Sequence, residues 1–459
     1  MSNTKFEAFK KYVCGKHISV VGIGISNLPL IKMLSENGAI VTACDKKSCE
    51  ELGETAKELI SMGIKLNCGE DYLENLGGEI IFKTPGLRFD HPSLVKARNN
   101  GSIITSEMEV FFEVCPAKII AITGSDGKTT TTTLVYNILT ESGYKCHLGG
   151  NIGTPLLCST DDIQNEDIVV LELSSFQLHT MTKSADVSVI TNITPNHLDM
   201  HKSYEEYIDA KRNIYLHAEK DNVLVVNKTN EESYKCKNDA KGDVRIFGYD
   251  EDCDVFSDNK SIYAFGKKLL DVSDIKIPGE HNVQNYMTAI AATYPLYKEE
   301  AVKKVARNFG GVPHRIEFVR ELHGVRYYNS SIDSSPNRTI NTLRVFDKVI
   351  LITGGKDKGI PYDIIGEALA TKTKHIVLIG KTGPIIKAAL DNYVKKTGVG
   401  KDITTEFCTT YEEAVLSAKN VASPGDVVLL SNASTSFDMF KNFEERGNLF
   451  KEIVNNLKD

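Results

Sequence analysis

Several features that would mark other classes of protein are missing from this 459-residue sequence. Its ten cysteines include no Cys-x-x-Cys pair, which argues against a structural zinc site or a disulfide framework and favours reduced thiols. No apolar run approaches the length needed to span a membrane. The start of the chain lacks the apolar core of a signal peptide. These absences predict a cytoplasmic protein with no membrane partner.

The charge balance also lacks the basic excess of a nucleic-acid-binding protein. Asp and Glu number 61 against 54 Lys and Arg, for a formal net charge of -7, and no basic stripe offsets this balance. We therefore expect no nucleic-acid partner. Internal repeats and low-complexity runs are missing as well. The length predicts about two to four globular domains.

The strongest local signal is a strand, a turn and a helix over residues 118–133. Ile119–Thr123 is apolar enough for a buried strand, Gly124–Gly127 form a tight turn, and a helix begins at Lys128. Glycines let backbone N–H groups approach an anion, and the helix N-terminus adds positive potential. The pattern predicts a nucleotide-phosphate site, in which Lys128 reaches the terminal phosphates and the Thr129 hydroxyl binds Mg²⁺. An ordinary strand–turn–helix with a surface lysine is the alternative.

The first segment, residues 1–106, carries an incomplete dinucleotide-binding pattern. His17–Gly24 predicts a strand that runs into a glycine turn, and a second strand over Ala39–Cys44 is followed by Asp45. The third glycine position is Asn27, so a plain strand-to-helix turn is an alternative. An NAD-dependent dehydrogenase would depend on this pattern alone. The turn suits a nucleotide or another phosphorylated ligand.

The central segment, residues 107–312, offers metal ligands at strand ends. Glu172 lies near the end of an apolar strand, where a carboxylate beside a phosphate loop binds Mg²⁺ or orients water. A solvated strand-end acid is the alternative. A later loop carries His197, Asp199 and His201, which could ligate a metal or lie on the surface.

A lysine falls on the apolar face of the next predicted helix, Ser203–Ala218. This face is formed at spacings of three and four residues by Tyr204, Tyr207, Ile208, Ile214 and Tyr215. Lys211 lies on the same stripe. Its ammonium could reach water from a packed stem, or burial could lower its pKa so that the amine reacts or carries a modification. The sequence leaves both interpretations open.

A helix that begins near residue 280 carries Asn282 and Asn285 one turn apart. Two amides at that spacing could form a hydrogen-bonding face toward a nucleotide base, or could cap the helix. The third segment, residues 313–459, opens with Arg315, which we expect to be an exposed cation. Its apolar strands alternate with helical stretches, which predicts a second doubly wound parallel sheet. Cations and hydroxyls after these strands suit a small anionic substrate.

Taken together, these stretches resemble the ATP-dependent Mur ligases over essentially the whole chain. The shared motifs are the phosphate loop (123–130), Leu171–Gln177, Thr194–His201 with Tyr207-x-x-Ala-Lys211, and Pro313–Arg315. The stretch Asp438–Gly447 is similar to the D-glutamate-adding members. The resemblance implies an α/β protein of three domains: a Rossmann-like UDP-sugar domain (1–106), a phosphate-loop ATPase-like domain (107–312) and a Rossmann-like amino-acid domain (313–459).

The resemblance also implies an activity and its cofactors. Members of this type join D-glutamate to UDP-N-acetylmuramoyl-L-alanine through an acyl phosphate, with ATP as the energy source, during bacterial peptidoglycan synthesis. The implied cofactors are ATP and two Mg²⁺ ions, and the implied state is a monomer. The implied catalytic residues are Lys128, Glu172, His197 and Lys211. The implied metal ligands are Thr129, Glu172, His197 and Lys211, with Lys211 carbamylated.

The remaining implied contacts fall into two groups. The ATP contacts are Gly124, Ser125, Asp126, Gly127, Lys128, Thr129, Thr130, Asn282, Asn285 and Arg315. The substrate contacts are Ile25, Ser26, Asp45, Lys47, Gly86 and Asn151 for the UDP-sugar, Lys358, Ser436 and Phe443 for D-glutamate, and also Ser174, Gln177 and Ser334.

The chain departs from the family pattern at several of its motifs. Ser330 replaces an ATP-contacting Asp, with Asp333 three residues on. The other departures are Ile332 for Lys, Ser334 for Thr, Asn196 for Asp, Met200 for Arg, and Asn27 for Gly. Two rivals therefore remain: a ligase with another acceptor, such as L-alanine or a folate-type substrate, and a nucleotide-binding relative without catalysis. The first 106 residues oppose the folate type.

Overall fold

The computed structural model describes residues 3–24, 26–195, 200–357 and 359–458. These residues form three sheets, one in each of the three segments expected from the sequence. The chain divides into two compact units. The first comprises Met1–Asp274 with Glu280–Arg307, and the second comprises Ile275–Gly279 with Asn308–Asp459. The first unit contains two of the sheets. The domain limits at 106 and 312 stay predictions.

The first sheet consists of five parallel strands. They are β1 (His17–Val21), β2 (Ile40–Asp45), β3 (Lys65–Cys68), β4 (Ile80–Phe82) and β5 (Ile103–Thr105). Its helices are α1 (Thr4–Val13), α2 (Asn27–Glu36), α3 (Cys49–Leu52), α4 (Glu54–Ser61), α5 (Pro92–Asn99) and α6 (Glu107–Val114). The strand order is β3-β2-β1-β4-β5, so the order reverses beside β1. Ligands of such sheets bind at this switch point, where β1 ends.

The second sheet has nine strands. They are β6 (Lys118–Thr123), β7 (Cys146–Gly150), β8 (Ile168–Glu172), β9 (Val187–Ile190), β10 (Val223–Asn227), β11 (Asp243–Gly248), β12 (Val255–Ser257), β13 (Ser261–Ala264) and β14 (Lys267–Asp271). The helices are α7 (Lys128–Ser142), α8 (Ser175–Leu178), α9 (Tyr204–Leu216), α10 (Glu231–Lys235), α11 (Glu280–Thr293) and α12 (Glu299–Asn308). The order is β14-β13-β12-β11-β10-β9-β6-β8-β7. The phosphate-loop strand β6 therefore lies between β8 and β9, and their carboxyl ends meet at one edge.

The third sheet has six strands. They are β15 (Glu317–Leu322), β16 (Val325–Asn329), β17 (Val349–Gly354), β18 (Thr373–Ile379), β19 (Thr404–Cys408) and β20 (Val427–Leu430). The helices are α13 (Pro336–Leu343), α14 (Gly366–Lys372), α15 (Gly383–Thr397), α16 (Tyr411–Val421) and α17 (Phe443–Asn455). Leu351 and Leu429 join one apolar core and Ile350 and Val428 another, so helices cover both faces.

The α/β class and the Rossmann-like pattern are confirmed, with one correction. The third sheet is not wholly parallel, because β15 pairs antiparallel with β16 at its edge. The two strands flank the tight turn of His323 and Gly324, which leaves no room for a crossover helix. Strands β12 to β14 form antiparallel pairs at the other edge of the second sheet. Among the described residues, no helix is both long and apolar enough to cross a bilayer.

Candidate active site

The turn between β6 and α7 can be made only with glycine at two positions. Gly124 has φ +152°, and a Cβ there would lie 1.9 Å from Thr191 Oγ1. Gly127 has φ +77°, and a Cβ there would lie 2.5 Å from Asn285 Oδ1. Both backbone conformations disfavour other residues, and both contacts forbid a side chain. The first glycine therefore lets the turn approach the end of β9, and the second lets it approach α11.

Hydrogen bonds hold the turn against neighbouring strands and helices. The Asp126 N–H donates to Asn192 Oδ1 at 2.9 Å, and Thr191 Oγ1 donates to the Asp126 carbonyl at 2.7 Å. Ser125 Oγ lies 2.9 Å from Tyr207 OH. Burial raises the pKa of Tyr207 to about 12, so this phenol stays protonated. Sequence reasoning missed Thr191 and Asn192, although their place directly after β9 at the sheet edge was a usable signal.

The turn ends at the N-terminus of a 15-residue helix, α7. Unpaired N–H groups and the helix dipole favour an anion at such an end. The predicted ATP contacts Gly124, Ser125, Asp126, Gly127, Lys128, Thr129 and Thr130 all lie here. Lys128 Nζ donates to the Ser125 carbonyl at 3.0 Å, which folds the side chain over the turn. The loop therefore offers backbone donors and one ammonium to the same place.

Asn282 and Asn285 lie in α11, which packs against the phosphate-loop helix. Asn285 Oδ1 accepts a hydrogen bond from Thr131 Oγ1 at 3.2 Å, and its amide donates to Asn282 Oδ1 at 3.0 Å. Both residues are buried. The two amides are therefore hydrogen-bonded to each other and, through Asn285, to Thr131 of α7. Their predicted contact with ATP stays a prediction.

Glu172 supplies a carboxylate at the end of β8, beside the turn. The residue is 2% exposed, which excludes the solvated alternative. Its Oε1 accepts a hydrogen bond from Asn151 Nδ2 at 2.7 Å. Its Oε2 is buried and has no hydrogen-bond partner within the described parts of the chain. A buried carboxyl oxygen without a partner in the described chain fits a divalent cation, because Mg²⁺ prefers oxygen ligands.

The structure decides between the two interpretations of Lys211. The residue is 1% exposed, so its ammonium does not reach water. Its Nζ donates to the Gly124 carbonyl at 2.8 Å and lies 4.6 Å from the centre of the Tyr207 ring. Burial lowers the pKa of Lys211 well below its usual value, and nearby Lys128 lowers it further. Lys211 is therefore placed to be a neutral amine against the phosphate loop.

Four of the predicted UDP-sugar contacts, Ser26, Asp45, Lys47 and Gly86, lie at or after the ends of strands of the first sheet, whereas Asn151 follows β7 of the second. Asp45 Oδ2 accepts from the Ile23 N–H at 2.6 Å, and Oδ1 accepts from the Lys47 N–H at 2.9 Å. The acid thus ties the glycine turn to the end of β2. Ser26, Lys47 and Gly86 are exposed. Ile25 lies outside the described residues.

Ser174 and Gln177 have a structural role that the substrate prediction did not include. The Gln177 N–H donates to Ser174 Oγ at 3.3 Å, and the Ser174 N–H donates to Gln177 Oε1 at 3.0 Å. This reciprocal pair is a capping box at the start of α8. Their predicted contact with substrate stays a prediction.

The predicted amino-acid pocket lies in the second unit. Ser334 is half-buried, Ser436 is 2% exposed, and Phe443 begins α17. Arg315 is half-buried, so the expected exposed cation is wrong. The turn that closes Val312 on Arg315, with an N–H to carbonyl distance of 2.9 Å, holds the residue against the unit. Lys358 and His197 fall outside the described residues, and their roles stay predictions.

The departures at Ser330 and Asp333 fall inside the core of this unit. Ser330 is 0% exposed, and its Oγ accepts from the Ile316 N–H at 3.3 Å. Asp333 Oδ2 accepts from Thr342 Oγ1 and from Ser431 Oγ, both at 2.7 Å. Burial raises the pKa of Asp333. The Asp333 side chain therefore acts as a hydrogen-bond acceptor within the core of the second unit.

Known proteins resemble the chain at the levels of sequence and fold. A family model described as the Mur ligase middle domain matches residues 122–293, and one described as the Mur ligase, glutamate ligase domain matches residues 314–433. The UDP-N-acetylmuramoylalanine--D-glutamate ligase of Acetivibrio thermocellus is 53% identical over 99% of this chain and 100% of its own. That of Ruminiclostridium cellulolyticum is 52% identical with the same coverage.

Solved structures share the architecture at low identity. A crystal structure of MurF from Acinetobacter baumannii covers 99% of each chain with a TM-score of 0.58 and 17% identity. The UDP-N-acetylmuramate-alanine ligase MurC from Thermotoga maritima covers 96% of this chain and 100% of its own, with a TM-score of 0.57 and 20% identity. These two similarities concern the fold alone.

Proposed function

The chain belongs to the Mur ligase family, and on that premise we propose that it joins D-glutamate to UDP-N-acetylmuramoyl-L-alanine at the expense of ATP. The reaction forms one amide bond and releases ADP and phosphate. It is a step of peptidoglycan precursor synthesis. The observation that carries the proposal is the identity of 53% to a D-glutamate ligase over nearly the full length of both chains.

The chemistry proceeds in two charged steps. The carboxylate of the UDP-sugar substrate attacks the γ-phosphorus of ATP, and ADP leaves with an acyl phosphate formed. The amine of D-glutamate then attacks the acyl carbon, phosphate leaves, and the amine loses a proton. Positioned donors and cations stabilise the charge that develops in both steps. The turn from Gly124 to Thr130 supplies backbone donors, and Lys128 supplies a positive charge.

Magnesium is part of the proposal, because the residues present fit it. Thr129 and Glu172 would hold one ion, and the buried Oε2 of Glu172, which has no hydrogen-bond partner among the described residues, supports this assignment. His197 and Lys211 would hold a second. Bound magnesium neutralises phosphate charge. The protein orients one ligand itself, since Asn151 donates to Glu172 Oε1 at 2.7 Å.

We further assign Lys211 as a carbamylated lysine. Its neutral amine would add to carbon dioxide, forming an N–C bond and releasing one proton, so that a carboxylate replaces the ammonium. Two observations support this: the 1% exposure of the side chain and its lowered pKa beside Lys128. An uncharged amine is the form that reacts. The modification would turn a disfavoured buried cation into a metal ligand.

The remaining contacts are assigned by unit. Ile25, Ser26, Asp45, Lys47, Gly86 and Asn151 would contact the UDP-sugar substrate. Asn282, Asn285 and Arg315 would contact ATP. Lys358, Ser334, Ser436 and Phe443 would contact D-glutamate, with Ser174 and Gln177 also on the substrate side. We place the reaction in the cytoplasm and expect a monomer, which light scattering of the purified chain would test.

Phosphate release from ATP tests the function directly. The purified chain is incubated with UDP-N-acetylmuramoyl-L-alanine and ATP, and with D-glutamate, L-glutamate, L-alanine or no acceptor. We expect release with D-glutamate only, together with an amide product of matching mass. Release with L-alanine instead would assign the chain to another acceptor.

Lys128→Ala is the negative control for the phosphate loop. We expect it to abolish phosphate release while the far-ultraviolet circular dichroism stays that of the unaltered chain. Phosphate release by this variant would show that the phosphate loop is not required for the reaction. If the unaltered chain releases no phosphate with any acceptor, the alternative of a nucleotide-binding relative without catalysis is favoured. Restoring Asp at Ser330 and at Asn196 would then be the first test.

A further inference from the structure

A second cluster of metal-binding side chains lies outside the predicted magnesium ligands. It consists of His179, which follows α8, and of His201 and Glu206 at the start of α9. One potential ligand atom from each residue lies within 4.8 Å of the other two. The His179 Nε2 to Glu206 Oε1 distance is 3.6 Å, and the His201 Nδ1 to Glu206 Oε2 distance is 3.7 Å.

Nδ1 of His201 faces Glu206 in this cluster. The His201 side chain is 0% exposed. Nε2 lies 2.9 Å from Ser175 Oγ, which gives that nitrogen a hydrogen-bond partner. Nδ1 is buried and has no hydrogen-bond partner in the described ranges. The distance of 3.7 Å from Nδ1 to Glu206 Oε2 is too long for a hydrogen bond. A buried polar atom without a partner needs an explanation, and a bound ion is one.

Glu206 is held in a fixed orientation from the opposite side. Arg88 donates to Glu206 Oε1 at 2.8 Å and to Oε2 at 3.2 Å, and the Lys202 N–H donates to Oε2 at 2.6 Å. Oε1 thus accepts one hydrogen bond and keeps a lone pair for another ligand. Asp90 pairs with both Arg88 and Lys202, which offsets their charge. Carboxylates that ligate metals are commonly hydrogen-bonded in this way.

We propose that His179, His201 and Glu206 bind one transition-metal ion of the zinc class, separate from the magnesium positions. Two imidazole nitrogens and one carboxylate oxygen are ligands that zinc accepts and that magnesium seldom takes. A tetrahedral zinc with bonds of about 2.0–2.1 Å holds its ligands about 3.4 Å apart. The three candidate ligand atoms lie within 4.8 Å of one another, so the side chains must rotate toward the ion when it binds. Water completes the fourth position.

The site connects two parts of the first unit. Arg88 follows β4 of the first sheet, whereas Glu206 belongs to α9 beside the second sheet. The His201 ring also packs edge-on against Tyr207 at 5.2 Å, and Tyr207 OH lies 2.9 Å from Ser125 Oγ in the phosphate loop. A bound ion would restrain His201, which packs against Tyr207, and Tyr207 contacts the phosphate loop. We therefore expect zinc binding to raise the melting temperature of the chain.

Zinc binding to the chelator-stripped, full-length chain tests the proposal. Bound zinc is counted by mass spectrometry after equilibrium dialysis with excess magnesium present, and affinity is measured by competition with a chelating dye. We expect one zinc per chain. His179→Gln and His201→Gln should each weaken binding by about tenfold or more. His217→Gln, an exposed histidine at the end of α9, is the matched control and should leave binding unchanged.

Cobalt distinguishes this site from the ten cysteines, which could also bind zinc. Co²⁺ held by nitrogen and oxygen gives visible d–d bands without a thiolate-to-cobalt charge-transfer band, and we expect that spectrum. A charge-transfer band, or full zinc stoichiometry in the His179→Gln/His201→Gln double variant, would overturn the proposal. His179 is half-buried, so His179→Gln carries the test if His201→Gln unfolds, as judged by melting in chelator.

Discussion

Lys211 in the first unit and Arg446 in the second are both fully buried basic side chains, and they differ in the hydrogen-bond acceptors around them. Lys211 in the first unit is 1% exposed and donates to the Gly124 carbonyl at 2.8 Å, with a longer contact of 3.4 Å to Thr123 Oγ1. Arg446 in the second unit is 0% exposed. It donates to Ser331 Oγ at 2.9 Å, to the Ser331 carbonyl at 2.7 Å and to the Ser434 carbonyl at 3.1 Å.

The difference follows from the two side chains: the Lys211 amine can lose its proton and its charge, whereas the Arg446 guanidinium cannot. An arginine stays protonated in proteins, so the second unit must supply acceptors for its guanidinium. Burial lowers the pKa of Arg446, but Tyr411 and Asp438 act in the opposite direction. A lysine can lose its proton when burial is costly. The surroundings of Lys211, with the Gly124 carbonyl and Thr123 Oγ1 as acceptors, suit an amine that has lost its proton.

Replacing Arg446 should produce the largest loss of stability. Arg446→Met leaves the Ser331 and Ser434 carbonyls without their donors and Asp438 without its nearby cation. Removing one member of a buried charged network costs about 3–5 kcal/mol. Urea unfolding followed by circular dichroism measures this loss. Arg344→Met, at an exposed arginine of the same unit, should change stability by less than about 0.5 kcal/mol. Equal effects of both variants would contradict the structural role.

Replacing Lys211 should have the reverse profile, with activity lost and stability kept. Lys211→Met removes a buried amine that has few hydrogen-bond acceptors, so we expect the free energy of unfolding to change by no more than about 1 kcal/mol. Phosphate release should fall by about 10²–10³-fold if the side chain acts on transition-state charge. Lys235→Met, at an exposed lysine of the same unit, should retain full activity.

Chemical rescue separates a carboxylate role from simple packing. A short carboxylic acid such as acetate can enter the space that Lys211→Ala leaves and supply the oxygens of a carbamate. We expect partial recovery of phosphate release in that variant and none in Lys128→Ala. Full activity of Lys211→Ala without any additive would make Lys211 a packing residue.

The sequence predicted the first of these two cations and passed over the second. Lys211 interrupts an apolar stripe at helical spacing, so the periodicity placed it on the apolar face of α9 but left open whether its ammonium reaches water. Arg446 lies in the motif Asp438–Gly447, where polar residues surround it and no periodicity shows its burial. Its acceptors come from Ser331 and Ser434, far away in the sequence. Only the folded chain brings those carbonyls to one place.

Contacts between residues far apart in the sequence were also missed around the phosphate loop. Strand β6, the glycine turn and α7 are local in sequence, and all three were predicted at nearly their observed bounds. Thr191 and Asn192 hold the turn from about 65 residues away, a distance set by strand order and not by pattern. The sequence singled out His201 as a possible metal ligand but not His179, which precedes β9 and joins the cluster only in the folded chain.

The smallest predicted effect concerns the carboxylate near Arg446. Burial raises the pKa of Asp333 above its ordinary value of 3.8, so the folded chain binds a proton that the unfolded chain has lost. Stability should therefore fall as pH rises from about 4 through the raised pKa, and stay level above it. Asp333→Asn should remove this part of the pH dependence, whereas Asp347→Asn, at an exposed acid, should keep it. Arg446 stays charged throughout that range, so it does not contribute to the change of stability with pH. If the same change persists in Asp333→Asn, it must come from another buried acid, and burial of the Asp333 carboxylate beside Arg446 would then carry no cost in stability.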